Sequence, residues 1–335
     1  MTDSSAPVFH ASAPVRLDFA GGWTDVAPFC REERGAVVNA AVELRAHAVV
    51  RPGGDTYRLV SEDLDQALET SGPDALARNG KLDLLKAALR RSGIGPADVR
   101  TRSEVPPGSG LGSSGALDVA LVAALDAAQG RLRSGVELAE EAWQLETIDA
   151  ALPGGKQDQY AAALGGFHQL AFEGGAVQVR PLHLAPEFMA ELERRTLVCY
   201  TGTSRVSSNT ISRVMSRYRQ GDGGVADALR TLAELARQMG EALQRHDLNR
   251  VAALLDENWR QQQRLDPSMR TETMARLESA MSRAGALGGK AAGAGAGGSM
   301  FFILEGDRGV AEQSARDAGA TVLPFTWARE GVRVW

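Results

Sequence analysis

The chain has 335 residues, with 37 lysine and arginine residues against 42 aspartate and glutamate residues, for a formal charge of −5. This length predicts about two domains, and the acidic balance excludes a broad basic surface for nucleic acid or anionic membranes. Cys30 and Cys199 are too few for a disulfide framework. The sequence lacks an apolar run of about 18 residues that could cross a membrane, and its start lacks the pattern of a secretory signal. We therefore expect a two-domain cytoplasmic enzyme without nucleic-acid or membrane partners.

The first part of the chain predicts strands followed by helices. Alternating apolar residues predict strands within 13–60, with short apolar runs at 35–38 and 46–50. Leucines at helical spacing predict a helix over 81–92. Residues 116–128 are apolar almost all round, which indicates a buried helix.

Helix signals continue through the middle of the chain. A capping box, Ser134 with Glu137, begins a helix that we expect to reach about Asp149. A short helix ending at Ala163 follows. A strand is predicted near residue 196. Four more helices are then predicted, at 207–219, 224–246, 248–264 and 270–284.

A glycine-rich run precedes the last clear strand. Residues 285–298 contain seven glycines and lead into the apolar segment Met300–Leu304, so we expect a glycine-rich loop before a strand. The change of pattern near 196 divides the chain into predicted domains at 1–195 and 196–335.

The most informative segment is 106–115, PPGSGLGSSG, which runs directly into the buried helix. A phosphate chain needs converging backbone N–H donors and the positive end of a helix dipole, and glycines allow the close approach. Ser113 and Ser114 lie where a hydroxyl can cap the helix, hold a phosphate oxygen or reach Mg²⁺. A dinucleotide fingerprint would need an upstream apolar strand in place of the proline pair, and the Walker pattern is absent. A simple glycine-rich turn with a serine cap stays open at this point.

Three motifs in order resemble those of the GHMP kinases. The letters P-P-x-x-G-L-G-S-S of 106–114 are the second motif of that family. Residues 13–25, with Arg16 on a strand before a Gly-x-x-Thr-Asp loop, look like the first motif, and 293–300 look like the third. The resemblance implies a two-domain α+β GHMP kinase fold that binds ATP, Mg²⁺ and substrate in the cleft between the domains. It places these residues at ATP: Pro107, Gly108, Ser109, Gly110, Leu111, Gly112, Ser113 and Ser114.

Within that family the chain is most similar to sugar 1-kinases. Residues 154–167 and 200–205 resemble segments of heptose 7-phosphate kinases, whereas Gly21-Gly22-Trp23-Thr24-Asp25 is nearer the fucokinase form. The resemblance implies transfer of the γ-phosphoryl group of ATP to a sugar hydroxyl, with the anomeric hydroxyl of a heptose 7-phosphate as the first choice. An unphosphorylated sugar such as fucose or another hexose is the alternative. A protein of a different functional class, a non-catalytic sensor of a sugar or nucleotide, is the other alternative.

The same resemblance assigns the chemistry. Asp158 corresponds to the carboxylate that receives the proton of the sugar hydroxyl. Arg16 is expected beside it, where it would keep the carboxylate ionised and offset charge on the transferred group. Glu146, 12 residues before Asp158, is expected to bind Mg²⁺ together with Ser114. Outside the motif, an aspartate in a first helical turn or a surface glutamate would have a purely structural explanation.

The remaining site predictions concern the sugar. Asp25 would accept hydrogen bonds from sugar hydroxyls, with Gly22 and Thr24 in the same loop. Lys156 and Arg205 are candidates for holding a phosphate already on the substrate, with ordinary surface charges as the alternative. The partner is then a small-molecule sugar or sugar phosphate, and a homodimer is left open.

Overall fold

The computed structural model describes residues 7–203 and 207–335, which form two β-sheets flanked by helices. The strands are β1 (Phe9–Ala20), β2 (Gly35–Pro52), β3 (Tyr57–Ser61), β4 (Gln66–Thr70), β5 (Ala97–Ser103), β6 (Phe167–Glu173), β7 (Ala176–Pro181), β8 (Thr196–Tyr200), β9 (Ala286–Ala291), β10 (Ser299–Leu304), β11 (Thr321–Leu323) and β12 (Arg333–Val334). The α-helices are α1 (Phe29–Glu32), α2 (Asp83–Ser92), α3 (Ser113–Ala128), α4 (Gly135–Gln144), α5 (Gln157–Leu164), α6 (Pro186–Arg195), α7 (Ser207–Arg219), α8 (Gly223–Gln244), α9 (Leu248–Leu265), α10 (Glu272–Arg283) and α11 (Arg308–Asp317). One π-helical turn (Leu145–Asp149) and two 3-10 turns (Pro73–Leu76 and Pro267–Met269) complete the helical elements.

The larger sheet is organised around β2, which is 18 residues long. Its order is β12-β1-β2-β5-β3-β4, and β6 and β7 are joined to it through β2. The sequence predicts two short apolar runs here, at 35–38 and 46–50, but the structure has one continuous strand. The polar residues between the runs do not interrupt it because they have buried partners. Asn39 donates to the carbonyl of Gln157, and Arg45 donates to Ser12.

The smaller sheet has the order β11-β8-β10-β9 and is antiparallel throughout. It corrects the prediction that residues 285–298 are all loop, because 286–291 form β9. The small residues of this strand allow close packing. A Cβ at Gly289 would lie 2.3 Å from the ring of Phe302, so any larger residue at this position would clash with that ring. The loop itself is therefore confined to residues 292–298.

The helices follow the predicted pattern closely. Helices α7 to α10 coincide with the four predicted ones to within two residues, and α4 begins with the predicted capping box at Ser134. Helix α3 begins at Ser113, where the sequence places Ser113 and Ser114 at a helix start, and Gly112 precedes it in the left-handed conformation at φ 76°. None of the helices among the described residues combines the length and apolar character needed to cross a bilayer.

The two halves of the chain share their cores. Buried residues of α8 and α9 pack in the same cluster as the larger sheet, whereas Trp23 and Phe29 belong to the core around the smaller sheet. The predicted boundary at 195/196 separates the two sheets along the chain except at the C-terminus. There Trp335 exchanges backbone hydrogen bonds with His10 and β12 pairs with β1. The C-terminal residues therefore return to the larger sheet.

The approach of α9 to β9 gives a stability prediction. A Cβ at Gly288 would lie 2.2 Å from the carbonyl oxygen of Ala252, a backbone atom that cannot move aside cheaply. We expect Gly288→Ala to lower the free energy of unfolding by about 1–3 kcal/mol, the usual cost of overpacking. Urea denaturation measures the loss. Gly95→Ala is the matched control, because a Cβ at Gly95 would meet nothing within 4 Å. Equal midpoints for the two variants would contradict this account of β9.

Candidate active site

A cleft between the two sheets brings the three sequence motifs together. Its walls come from the end of β1 and the loop after it, the loop before α3, the start of α5 and the loop after β9. Among the predicted site residues, the following line it: Arg16, Gly22, Asp25, Gly108, Gly110, Gly112, Ser113, Ser114, Glu146 and Asp158. The cleft is therefore the candidate active site.

Arg16 is the central contact of the cleft. It lies on β1, is 5% exposed, and its Nε donates to Oδ1 of Asp158 at 2.8 Å. Its Nη1 donates to the carbonyl oxygens of Gly110 at 2.7 Å and Ala292 at 2.9 Å. Its own backbone N–H donates to the carbonyl of Leu111. One side chain thus joins the first motif, the glycine loop before α3, the loop after β9 and the predicted catalytic carboxylate.

Asp158 lies in the first turn of α5, against the first turn of α3. A Cβ at Gly115 would lie 2.6 Å from the Cβ of Asp158, so glycine is required for the two helix starts to approach this closely. The amides of a first helical turn have no partner within their own helix. Together they contribute positive partial charge at the point where the two helices begin. The Asp158 side chain keeps 29% of its surface exposed to the cleft, so its carboxylate is accessible to a ligand.

Glu146 and Ser114 meet at one edge of the cleft. The Ser114 hydroxyl donates to Oε1 of Glu146 at 2.9 Å, and Gln159 Nε2 donates to Oε2 at 2.7 Å. The helix predicted to reach about Asp149 does so, with its last five residues as the π-helical turn 145–149, and Glu146 in this turn lines the cleft. Burial raises the pKa of Glu146 to about 7, and the nearby charge of Asp158 contributes to the rise. A carboxylate in this setting is suited to a cation.

A second carboxyl, Asp118, lies beneath this pair and was missed by the sequence analysis. It is fully buried on α3, and burial, with a contribution from Glu146, raises its pKa well above the usual range. Both Asp118 oxygens and Oε1 of Gln159 lack a hydrogen-bond partner among the described residues. A proton on Asp118 would supply the donor that these acceptors lack. An aspartate in the middle of a mostly apolar helix was the signal in the sequence.

The loop after β1 contributes Asp25 to the lining of the cleft. Its Oδ2 accepts from the backbone N–H of Gln157 at 3.0 Å, and its Oδ1 is buried without a partner among the described residues. Burial raises the pKa of Asp25 to about 6, and the charge of Asp158 adds to the rise. Thr24 does not line the cleft. Its buried hydroxyl exchanges hydrogen bonds with Ala36, which makes its role structural.

The floor of the cleft contains a buried ion pair that the sequence analysis did not predict. Lys290 on β9 is fully buried and donates to both the carbonyl and Oδ2 of Asp18, at 2.6 and 3.0 Å. A Cβ at Gly22 would lie 2.3 Å from that same Oδ2. The pair therefore holds the loop after β1 against the smaller sheet. The only signal in the sequence was a lone lysine inside a glycine-rich run.

The structure does not support Lys156 as a phosphate contact. Its Nζ donates to both oxygens of Glu140, at 2.7 and 2.8 Å, and lies 4.4 Å from the centre of the Trp143 ring. Its side chain is 10% exposed and it does not line the cleft. We correct that prediction, because the ammonium group is already engaged within the protein. Arg205 lies outside the described residues.

Three residues of the glycine loop before α3 support the loop rather than line the cleft. Leu111 is fully buried in the core beneath the larger sheet, and its carbonyl accepts from Arg16. The buried Ser109 accepts at its carbonyl from the backbone N–H of Ser299, which ties the loop to β10. Pro107 is exposed before the turn and does not line the cleft.

Comparison with known proteins identifies the family of this chain. The profile of the GHMP kinases N terminal domain matches residues 81–166, and that of the GHMP kinases C terminal domain matches 239–321. The chain is 31% identical to a D-glycero-alpha-D-manno-heptose 7-phosphate kinase of Campylobacter jejuni, over 97% of this chain and 98% of that protein. The chain belongs to the GHMP kinases. It is therefore a phosphotransferase that uses ATP, and the predicted family and α+β fold are confirmed.

Two further relatives show how far the similarity reaches. The structure of a D-glycero-D-manno-heptose 1-phosphate kinase from Bacteroides thetaiotaomicron superimposes with a TM-score of 0.80 at 25% identity, covering 98% of each chain. A bifunctional fucokinase/GDP-fucose pyrophosphorylase of Arabidopsis thaliana is 31% identical over 87% of this GHMP kinase, which spans only 29% of that longer protein. The similarity thus reaches relatives named for two different sugars.

The buried Asp25 predicts a pH-dependent stability for this kinase. The ordinary pKa of an aspartate is 3.8, whereas that of Asp25 in the fold is about 6. Between those values the folded state binds more protons than the unfolded state, so the free energy of unfolding falls as pH rises. We expect Asp25→Asn to raise the free energy of unfolding by about 3 kcal/mol at pH 8 and much less at pH 4. Thermal or urea unfolding without ligands measures this difference.

The control for that measurement is Asp55→Asn, in the exposed turn between β2 and β3. It should change stability little at either pH. An Asp25→Asn variant whose stability relative to the parent is the same at pH 4 and pH 8 would contradict the burial of an ionised Asp25.

Proposed function

We propose that this GHMP kinase phosphorylates a sugar, with the anomeric hydroxyl of a heptose 7-phosphate as the acceptor and the 1,7-bisphosphate as the product. The observation that carries the proposal is the Asp158 carboxylate, held by Arg16 at the meeting point of the α3 and α5 N-termini. The sugar class is supported by the relative that is 31% identical along its length and named as a heptose 7-phosphate kinase.

ATP would place its phosphates in the loop before α3. Gly108 and Gly110 lie in the left-handed conformation, at φ 70° and 75°, which only glycine adopts easily. The first-turn amides of α3, from Ser113 onward, lack partners in their own helix and can bind phosphate oxygens. The loop is held from behind because Gly293 packs directly against the carbonyl of Gly110, where a Cβ would lie 2.5 Å away.

The residues at the edge of the cleft fit Mg²⁺. Ser114 and Glu146 offer the hard oxygen ligands that this ion prefers, and Glu146 now contacts only neutral donors. The described residues hold no group of three or more metal-binding side chains, so phosphate oxygens and water would complete the coordination. When bound, the ion neutralises negative charge on the ATP phosphates. Ser114 and Glu146 would orient it, and Gln159 would hold the Glu146 carboxylate in place.

The transfer is then a matter of position and charge. The sugar hydroxyl oxygen forms a bond to the γ-phosphorus while the bond from that phosphorus to the bridging oxygen of ADP breaks. The hydroxyl proton passes to the Asp158 carboxylate and from there to solvent. Arg16 holds that carboxylate in position and adds positive charge beside the transferred group. Asp25, which also lines the cleft, accepts hydrogen bonds from other sugar hydroxyls.

An unphosphorylated sugar such as fucose is the second candidate. The loop after β1, residues 21–25, is nearer the fucokinase form in sequence. Its Trp23 lines the cleft in the left-handed conformation at φ 86°, which is strained for a large side chain. The relative named as a bifunctional fucokinase is also 31% identical over the region that it shares with this chain. A sensor without activity is disfavoured because Arg16, Asp158, Ser114 and Glu146 all converge on one cleft.

The experiment that tests the function is an ADP-release assay over heptose 7-phosphates, hexose phosphates and free sugars. We expect turnover with a heptose 7-phosphate, and a loss of at least about 100-fold in kcat for Asp158→Asn. Asp227→Asn, on the exposed face of α8, is the control and should retain full activity. Turnover of free sugars alone would favour the second candidate. Full activity of Asp158→Asn would contradict the assignment of the chemistry.

The Mg²⁺ assignment has a separate test in Glu146→Gln. Removing the charged ligand should raise the free Mg²⁺ needed for half-maximal rate by at least about tenfold. It should also weaken the Mg²⁺-dependent rise in melting temperature measured with ADP. Glu187→Gln, at the exposed start of α6, serves as the control. An unchanged Mg²⁺ requirement in Glu146→Gln would remove this residue from the metal site.

A further inference from the structure

A groove continues from the active-site cleft toward the protein surface. Val26, Pro153, Gly154 and Ile211 line both the cleft and the groove, so these residues form the connection between them. The groove runs between α1, the π-helical turn after α4 and the face of α7. A ligand that fills the cleft and is longer than a hexose can extend past Gly154 into this space.

The cleft and the groove are lined by side chains of opposite charge. Among the described residues the cleft is lined by four carboxylates and one cation, Arg16, which contacts Asp158, while Lys290 pairs with Asp18 at the floor and leaves Asp25 and Glu146 without a cationic partner. The four carboxylates are Asp18, Asp25, Glu146 and Asp158. The groove is lined by two arginines, Arg31 and Arg219, and by no acidic residue among those described. A phosphate dianion next to the sugar-binding carboxylates would be repelled, whereas the groove attracts it.

The two arginines are available for a ligand. Both are exposed, and neither forms an ion pair or a side-chain hydrogen bond with another residue in the described ranges 7–203 and 207–335. Arg31 follows Asp25 by six residues, at the end of α1, and Arg219 ends α7. Because one comes from each half of the chain, a phosphate between them would also bridge the two halves.

We propose that Arg31 and Arg219 bind the phosphate at the far end of the sugar substrate. This inference rests on the proposed function and specifies its substrate as a sugar that carries a phosphate monoester at the end opposite the reacting hydroxyl. Guanidinium groups bind phosphate oxygens through paired, charge-assisted hydrogen bonds. With the phosphate held in the groove, the chain of the sugar passes Gly154 and its anomeric end lies in the cleft near Asp158. The sequence had suggested this role for Lys156, which is engaged by Glu140, and for Arg205, which lies outside the described residues.

The test compares phosphorylated and free sugars in Arg31→Ala, Arg219→Ala and the double variant. We expect each single change to raise the KM for the phosphosugar by about tenfold or more, with the KM for ATP unchanged. The kcat/KM for the corresponding free sugar should hardly change, so the preference for the phosphosugar should fall. Arg31→Lys keeps the charge and should recover part of the loss. Inorganic phosphate should compete with the phosphosugar in the parent enzyme and less in the variants.

The control is Arg34→Ala, which removes the same charge three residues from Arg31. Its side chain is 75% exposed and pairs with Glu173, away from the groove. An increase in KM equal to that of Arg31→Ala would reduce the effect to general electrostatics and overturn the inference. Unchanged phosphosugar kinetics in the double variant would also overturn it while leaving the proposed function standing. Turnover of free sugars but of no phosphosugar would overturn both the inference and the heptose 7-phosphate assignment.

Discussion

The buried guanidinium of Arg16 is the contact on which the active site depends. It holds Asp158 and the carbonyl oxygens of two glycine-rich loops from a single position on β1. A buried charge is costly unless hydrogen bonds and an opposite charge compensate it. Here the compensation comes from the parts that must be aligned for phosphoryl transfer. The requirement to satisfy one arginine therefore brings together segments of the chain that are more than 270 residues apart in sequence.

Beyond the Arg16–Asp158 and Lys290–Asp18 pairs, the cleft holds carboxyl groups that no cation among the described residues contacts. Burial raises the pKa of Asp25, Glu146 and Asp118, each of which faces or underlies the cleft. Carboxylates in such surroundings lower the stability of the empty fold and gain most from a cation or from hydroxyl donors. The site is thus built for ligands that supply these groups. A second phosphate fits better in the neighbouring groove, where Arg31 and Arg219 lie.

The motifs predicted many residues of the site, but they did not predict which oppositely charged residue each charged side chain contacts. Arg16, Asp158, Ser114 and Glu146 could be identified from three short patterns, and the structure brings them into one cleft. The sequence positions of the lysines did not indicate their contacts. Lys156 stands inside a motif yet contacts Glu140, while Lys290 stands in a glycine run and holds Asp18. A lysine side chain is long, and which carboxylate it reaches depends on packing between distant segments.

The sequence by itself determined the family, the α+β class and most of the helices. These depend on local signals, namely hydrophobic periodicity, caps and glycine spacing, which act within a few residues. Only the tertiary structure decided that β2 is one strand, that β9 replaces half of a predicted loop and that Trp335 returns to β1. It also decided which carboxylates are buried together and that Arg31 and Arg219 line one groove beside the cleft. Strand pairing and desolvation depend on residues far apart in the chain, and no local pattern records them.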